Sequence, residues 1–226
     1  MLLQSVSKLL NLQTLDVKDS RIRTLPNSIW EMQQLRHLYL SKNYYSQFMP
    51  QPSTNSLTTL QTLWGLLVNE ETPVKDGLDR LINLRKLEVA FLLTNSQHEA
   101  MSSQLDAVAK WVQYLNHFQS VRLKSSDEKN QPWDLDLKPL SGHVNLSRVY
   151  LLGWLRNPCM VSKFPQNLTD LTLSWSELTE DPMQTLDKLS NLRVLRLLHR
   201  SYIGKHMLCT LRGFQELRVL KLWVLE

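Results

Sequence analysis

The chain has 226 residues, of which 42% are hydrophobic and 21% charged, with 6 Gly and 9 Pro. It has enough apolar material for a buried core and too little Gly and Pro for a disordered or fibrous chain. A net charge of +5 does not by itself imply a nucleic-acid partner, and no apolar run approaches the roughly 18 residues of a membrane span.

The first residues, Met1 to Lys8, lack the basic start and long apolar stretch of a signal peptide. From Leu12 onward one phrase recurs, with apolar residues at the first, fourth and sixth places. Its starts are Leu12, Leu35, Leu60, Leu84, Phe118, Leu146, Leu168, Leu192 and Leu217. These are 23, 25, 24, 34, 28, 22, 24 and 25 residues apart. The spacing fits neither a helical period nor simple alternation. It is that of the leucine-rich repeat, whose period is about 20–29 residues. The third phrase is degraded, because Leu63 fits but Gly65 stands where an aliphatic residue belongs. Leu2 to Asn11 reads as the convex half of an earlier repeat, and the last phrase stops just after its strand. Without visible capping units, the chain is expected to be a piece of a longer protein.

The long interval after Leu84 holds an amphipathic helix near 102–117. Leu105, Val108, Ala109, Val112 and Leu115 share a face, and Ser103 with Asp106 resembles a capping box. The helix is read as the convex side of one repeat, with a functional insertion as the sharper alternative. Lys124 to Pro139, containing Asp127-Glu128-Lys129-Asn130, reads as a polar loop.

Residues for chemistry are not clustered. His37, His98, His117, His143, His199 and His206 form no metal-ligand spacing, alone or with cysteine. No Gly-rich loop cradles a phosphate and no nucleophile elbow occurs. Catalytic, cofactor-binding and metal residues are therefore all read as none. Cys159 and Cys209 sit two repeats apart, about 10 Å by strand spacing, beyond the roughly 7 Å Cα limit for a disulfide. Free thiols and a reducing compartment are expected, and the sequons at Asn145 and Asn167 are then idle.

The repeat supplies a surface. Side chains between the leucines point outward onto the concave face, the usual binding surface of a solenoid. The candidate protein-binding residues are Asp16, Tyr39, Trp64, Glu88, Arg122, Lys124, Arg148, Tyr150, Arg196, Lys221 and Trp223. Thr172, Leu66, Ser41 and Asp170 belong to the same outward rows. Phe91 and Trp175, one place further on, either join the face or turn to the rim. Aromatic and arginine anchors are what protein interfaces concentrate. The basic cluster of Arg122, Lys124 and Arg148 beside Tyr150 suits an acidic protein surface; it is too short and mixed in sign to favour nucleic acid. Thr172, facing out, is expected to tolerate Ala.

Leu12-Gln-Thr-Leu-Asp-Val, Ile22-x-x-Leu25-Pro26-x-x-Ile29-Trp30 and Leu35-Arg-His-Leu-Tyr-Leu40 resemble the leucine-rich-repeat region of plant intracellular coiled-coil, nucleotide-binding immune receptors. Asn83-Leu-Arg-Lys-Leu and Asn191-Leu-Arg-Val-Leu are similar too. The family's Asn at the ninth repeat position survives only as Asn43, with Ser20 and Ser176 standing in elsewhere. The resemblance implies an α/β solenoid spanning 1–226 as one domain of about nine repeats. It is a horseshoe with a parallel β-sheet on the concave face and loops and short helices on the convex side. It further implies a cytoplasmic recognition region, binding a pathogen effector or a host protein it modifies and restraining the receptor's own nucleotide-binding module. ATP or ADP belongs to that module, absent here, and no cofactor to this segment. A cytosolic scaffold or substrate adaptor outside immunity is the alternative, and an extracellular ectodomain a third.

Overall fold

The computed structural model describes residues 4–22, 24–40, 48, 57–93, 98–127, 129, 131–135, 140–156 and 158–225, with no side chains described for Gln4, Leu93, 98–100 and 158–160. Its nine strands are β1 (Thr14–Asp16), β2 (His37–Tyr39), β3 (Thr62–Val68), β4 (Lys86–Leu93), β5 (Ser120–Asp127), β6 (Arg148–Leu152), β7 (Asp170–Ser174), β8 (Val194–Leu198) and β9 (Val219–Trp223). They form one parallel sheet in chain order. Each strand begins two residues after a phrase start, so one sequence rule places all nine.

The hydrogen bonds repeat with the sequence. A tight turn precedes most phrases, as in Leu35 N–H to Met32 O and Leu168 N–H to Pro165 O. Two successive amides then bond one carbonyl of the preceding repeat, as Arg36 and His37 do to Gln13 O and Arg85 and Lys86 to Gln61 O. Behind the sheet lie short 3₁₀ turns, the four-residue helix α2 (Met183–Leu186) and the longer helix α1 (His98–Gln113). The inward leucines Leu38, Leu63, Leu87, Leu123, Leu151, Leu173 and Leu197 are 0% exposed and belong to a continuous core. Burial of this kind is the main favourable term in folding.

Four expectations change. Helix α1 ends at Gln113 and starts at His98, so Ser103 lies in its second turn and cannot cap it. Met101, 1% exposed, already belongs to the buried stripe, and Asp106 pairs instead with Lys110 at 2.6 Å. Lys124 to Asp127 is strand, not loop, because β5 runs on beside β4 to pair Leu93 with Asp127. Beyond it Pro132 bridges back to Ser126 and Asp134 to Trp154, while Glu128, Asn130 and residues 136–139 lie outside the described residues. The degraded third phrase is a β-bulge: Leu63 pairs with Leu87, but Leu66 pairs with Val89. Gly65 takes φ +81°, where a Cβ would meet Leu40 O at 2.6 Å. Leu66 therefore supplies the missing aliphatic and is buried, not outward. Finally, Phe91 pairs with Val68 and is 1% exposed, a core residue.

The Asn-Leu phrases acquire a structural reason. Asn83, Asn145, Asn167 and Asn191 each precede a phrase start. Their side-chain amides donate to carbonyls of the preceding repeat, Thr58, Asn116, Val144 and Gln166, at 2.6, 3.3, 2.7 and 3.2 Å. In the two sequons the hydroxyls bond back as well, Ser147 to Gln119 O and Thr169 to Ser147 O. Both sequons are thus repeat-to-repeat stitches. Cys209 is a free, exposed thiol; the Cys159 side chain, Ser41 and Asn43 lie outside the described residues. Ser20 bonds within its turn, to Val17 O at 2.8 Å.

Protection is graded along the array. Leu171 and Leu173 are 0% exposed, whereas Leu220 and Leu222 in the edge strand β9 are 48% and 45% exposed. In the 226-residue chain, amides of β9 are expected to exchange faster than those of β7 in a hydrogen-exchange experiment. Equal protection would show β9 covered.

His143 gives a pH dependence. It is buried edge-on to Phe118, with ring centroids 5.7 Å apart. Burial holds its imidazole below the ordinary value of 6.5, against a backbone hydrogen bond with Leu115 that acts the other way. The folded chain binds this proton less readily than the unfolded chain. The contribution of His143 to stability is therefore complete above about pH 6.5 and is lost as pH falls below it. Urea midpoints are expected to fall from about pH 7 to about pH 5, and to fall less steeply in His143→Gln.

Candidate protein-recognition face

The outward residues form rows across the sheet. Asp16, Tyr39 and Trp64 pair in register from β1 to β3. After the bulge the row resumes as Glu88, Arg122, Tyr150, Thr172, Arg196 and Lys221. The neighbouring row holds Lys86, Ser120, Arg148 and Asp170. Strand pairing sets neighbours roughly 4.8 Å apart, so the rows are continuous surfaces of mixed aromatic and charged groups.

Depth varies along the rows. Glu88 is 1% exposed, held beneath Arg122 Nε at 3.3 Å and Lys124 Nζ at 3.4 Å. The Arg122 guanidinium also lies over the Tyr150 ring, 4.1 Å from its centroid. The middle of the face is thus a packed unit, not three free cations. Arg148 is the exposed cation of the cluster. Thr172 is 3% exposed and accepts from Arg196 Nη1 at 3.3 Å, while that nitrogen also bonds Asp170 at 2.8 Å. Its expected tolerance of Ala is therefore overturned: truncation removes a buried partner of Arg196.

The two ends are open. Asp16 and Lys18 pair at 3.2 Å, with Lys18 Nζ 4.7 Å from the Tyr39 ring centre. Trp64 and Tyr39 are half-buried. At the other end Trp223 is 51% exposed, with Lys221 Nζ 4.5 Å from its ring centre.

An aromatic edge at the ends of the strands joins Trp175 and Trp223, which the phrases flagged, to His199, Trp133 and Trp154, which they did not. Trp175 turns to the rim at φ +56° and stacks on His199 at 6.0 Å. His199 in turn lies 5.2 Å from Trp223. Nearby, Trp133 and Trp154 tilt together at 5.8 Å, and Arg156, paired with Asp134, covers Trp154 at 5.1 Å. Trp133 and Trp154 follow the strands by different numbers of residues, so no fixed repeat offset flags them. Among the described residues no group of His, Cys, Asp and Glu could hold a metal ion, and no helix is long and apolar enough to cross a membrane.

A parallel sheet in strict chain order, a leucine core and an outward face of aromatic and charged rows define a leucine-rich-repeat solenoid. The chain belongs to the leucine-rich repeat region family, whose sequence model matches residues 1–226. It is 30% identical over 224 residues to an Arabidopsis thaliana protein named for disease resistance, covering 99% of this chain and 22% of that one. To Arabidopsis disease resistance protein RPP8 it is 29% identical over 214 residues, covering 89% of this chain and 22% of that protein. The chain thus spans about a fifth of the length of these curated relatives. The crystal structure of an internalin from Listeria monocytogenes shares the fold, with a TM-score of 0.56 at 12% identity, covering 96% of this chain and 63% of that one.

Proposed function

We propose that this chain is the recognition region of a plant innate immune receptor. Its concave rows bind a pathogen effector, or a host protein that the effector modifies. The same region restrains a nucleotide-binding module located elsewhere in the receptor, where ATP or ADP binds. The chain works by non-catalytic protein–protein contact, in the cytoplasm, without a cofactor of its own. The observation that carries this reading is a likeness to disease resistance proteins that runs through 99% of the chain. The outward rows support it, because exposed Trp, Tyr and Arg are the side chains that anchor protein interfaces.

Residues 1–226 in place of the matching region of RPP8 test the reading in leaf tissue. Recognition specificity is expected to move with the transplanted region. A chimera that accumulates normally yet keeps the specificity of RPP8 would favour a repeat scaffold outside immunity.

A further inference from the structure

The rim at which the strands begin carries a groove that the concave-face reading does not use. It lies across the starts of β2 to β5 and has a volume of about 500 Å³, with Arg36, Arg85 and His117 in its lining beside Thr58, Gln61 and Asn83. The main chain beneath it is fixed. Gln61 N–H donates to Arg36 O and Arg85 N–H to Gln61 O, both at 2.8 Å. Thr59 Oγ1 donates to Leu35 O at 2.9 Å, and Asn83 Nδ2 to Thr58 O at 2.6 Å. Arg36 and Arg85 therefore stand two strands apart, about 10 Å by strand spacing, with the neutral Gln61 between them.

The charge of this rim has one sign. Residues 33–37, 58–62, 82–86 and 116–120, which flank the starts of β2 to β5, hold Arg36, His37, Arg85, Lys86 and His117 and no Asp or Glu. Elsewhere Lys18, Lys110, Arg156, Arg196, Arg200 and Arg218 each sit beside a carboxylate. Among the described residues Arg36 and Arg85 have no such partner, and both side chains are exposed.

Two guanidinium forks facing one groove suit a single anion with more than one charge. A carboxylate has one charge and two oxygens, and one fork occupies both. A phosphate monoester carries a charge of about −1.5 to −2 and three terminal oxygens, so both forks can bond it at once. The groove exceeds one phosphate group in size. Its remaining space falls to the chain that bears the phosphate, whose peptide groups meet the hydroxyl of Thr58 and the amides of Gln61 and Asn83.

We propose that this groove binds the phosphoryl group of a phosphorylated serine or threonine in a partner polypeptide, held between Arg36 and Arg85. The site lies on the rim, outside the rows assigned to recognition, and its test does not depend on what those rows bind.

The probe is N-acetyl-alanyl-phosphoseryl-alanine N-methylamide, titrated into the 226-residue chain at about pH 7 and followed by the arginine Nε–H resonances. Those of Arg36 and Arg85 are expected to shift and saturate together. That of Arg193, at the same place in the repeat of β8, is expected to stay fixed. The same peptide with Glu for the phosphoserine has one charge in place of nearly two and is expected to bind about tenfold more weakly, as is inorganic phosphate. In Arg36→Gln, Arg85→Gln the affinity for the phosphopeptide is expected to fall at least about tenfold, through lost hydrogen bonds to a charged group. Arg193→Gln removes a like charge outside the groove and is expected to leave the affinity unchanged. A phosphopeptide that moves neither signal, that binds no better than the Glu peptide or inorganic phosphate, or that the double variant holds as tightly as the parent chain, would overturn the proposal.

Discussion

Leu171→Ala is expected to lower the unfolding free energy by about 2–5 kcal/mol, through lost apolar contact and the cavity left behind. Leu171 is 0% exposed at the second place of β7, between Val149 of β6 and Leu195 of β8. Each repeat of a solenoid contacts only its neighbours, so the loss is concentrated in the three repeats that meet there. Arg148, exposed on the adjacent strand, is the matched control, and Arg148→Ala is expected to change stability by less than about 0.5 kcal/mol. Urea melts of the two variants check the assignment of inward and outward positions. Equal losses would mean that the rows are misassigned.

The second large effect comes from the middle of the face. Removing both cations in Arg122→Ala, Lys124→Ala leaves Glu88, 1% exposed, as a buried carboxylate stripped of these two cations. Breaking such a buried arrangement on one side costs about 3–5 kcal/mol at neutral pH. Adding Glu88→Leu to the double variant removes the charge that needs neutralising and fills the space with apolar atoms. The triple variant is therefore expected to recover most of the lost stability in the same melts. A double variant as stable as the parent would show that Glu88 reaches water. Charge reversal at Arg122 consequently confounds stability with binding, whereas reversal at Arg148 does not.

These two effects also mark what the sequence could tell. The phrase starts placed every strand, because the repeat links each leucine to a fixed point in the chain path. Alternation then assembled rows that pair in register on each side of the bulge, but it misdirected Leu66 and left Phe91 undecided, and both are core residues. It did not give depth. Glu88 and Thr172 point outward but lie beneath the long side chains of Arg122, Lys124 and Arg196 from the following strands. Only the cross-strand geometry brings those groups over them. The bulge at Gly65 was visible as a defect, but that Leu66 would replace the missing aliphatic depends on two residues facing one across the ladder. The start of α1 was misplaced because a hydroxyl three residues before an acid reads as a cap. The buried stripe begins earlier, at Met101.

The account turns on the concave rows being the surface that recognises. On the proposed function, the direct measurement is effector-triggered cell death in leaf tissue expressing the receptor proposed to carry this region, challenged with the effector proposed as its ligand. The concave variant is Arg148→Glu, Tyr150→Ala, and the control is Gln184→Ala on the exposed side of α2. With protein levels matched, the concave variant is expected to lose the response and the control to keep it. An undiminished response from the concave variant would contradict the assignment of recognition to this face.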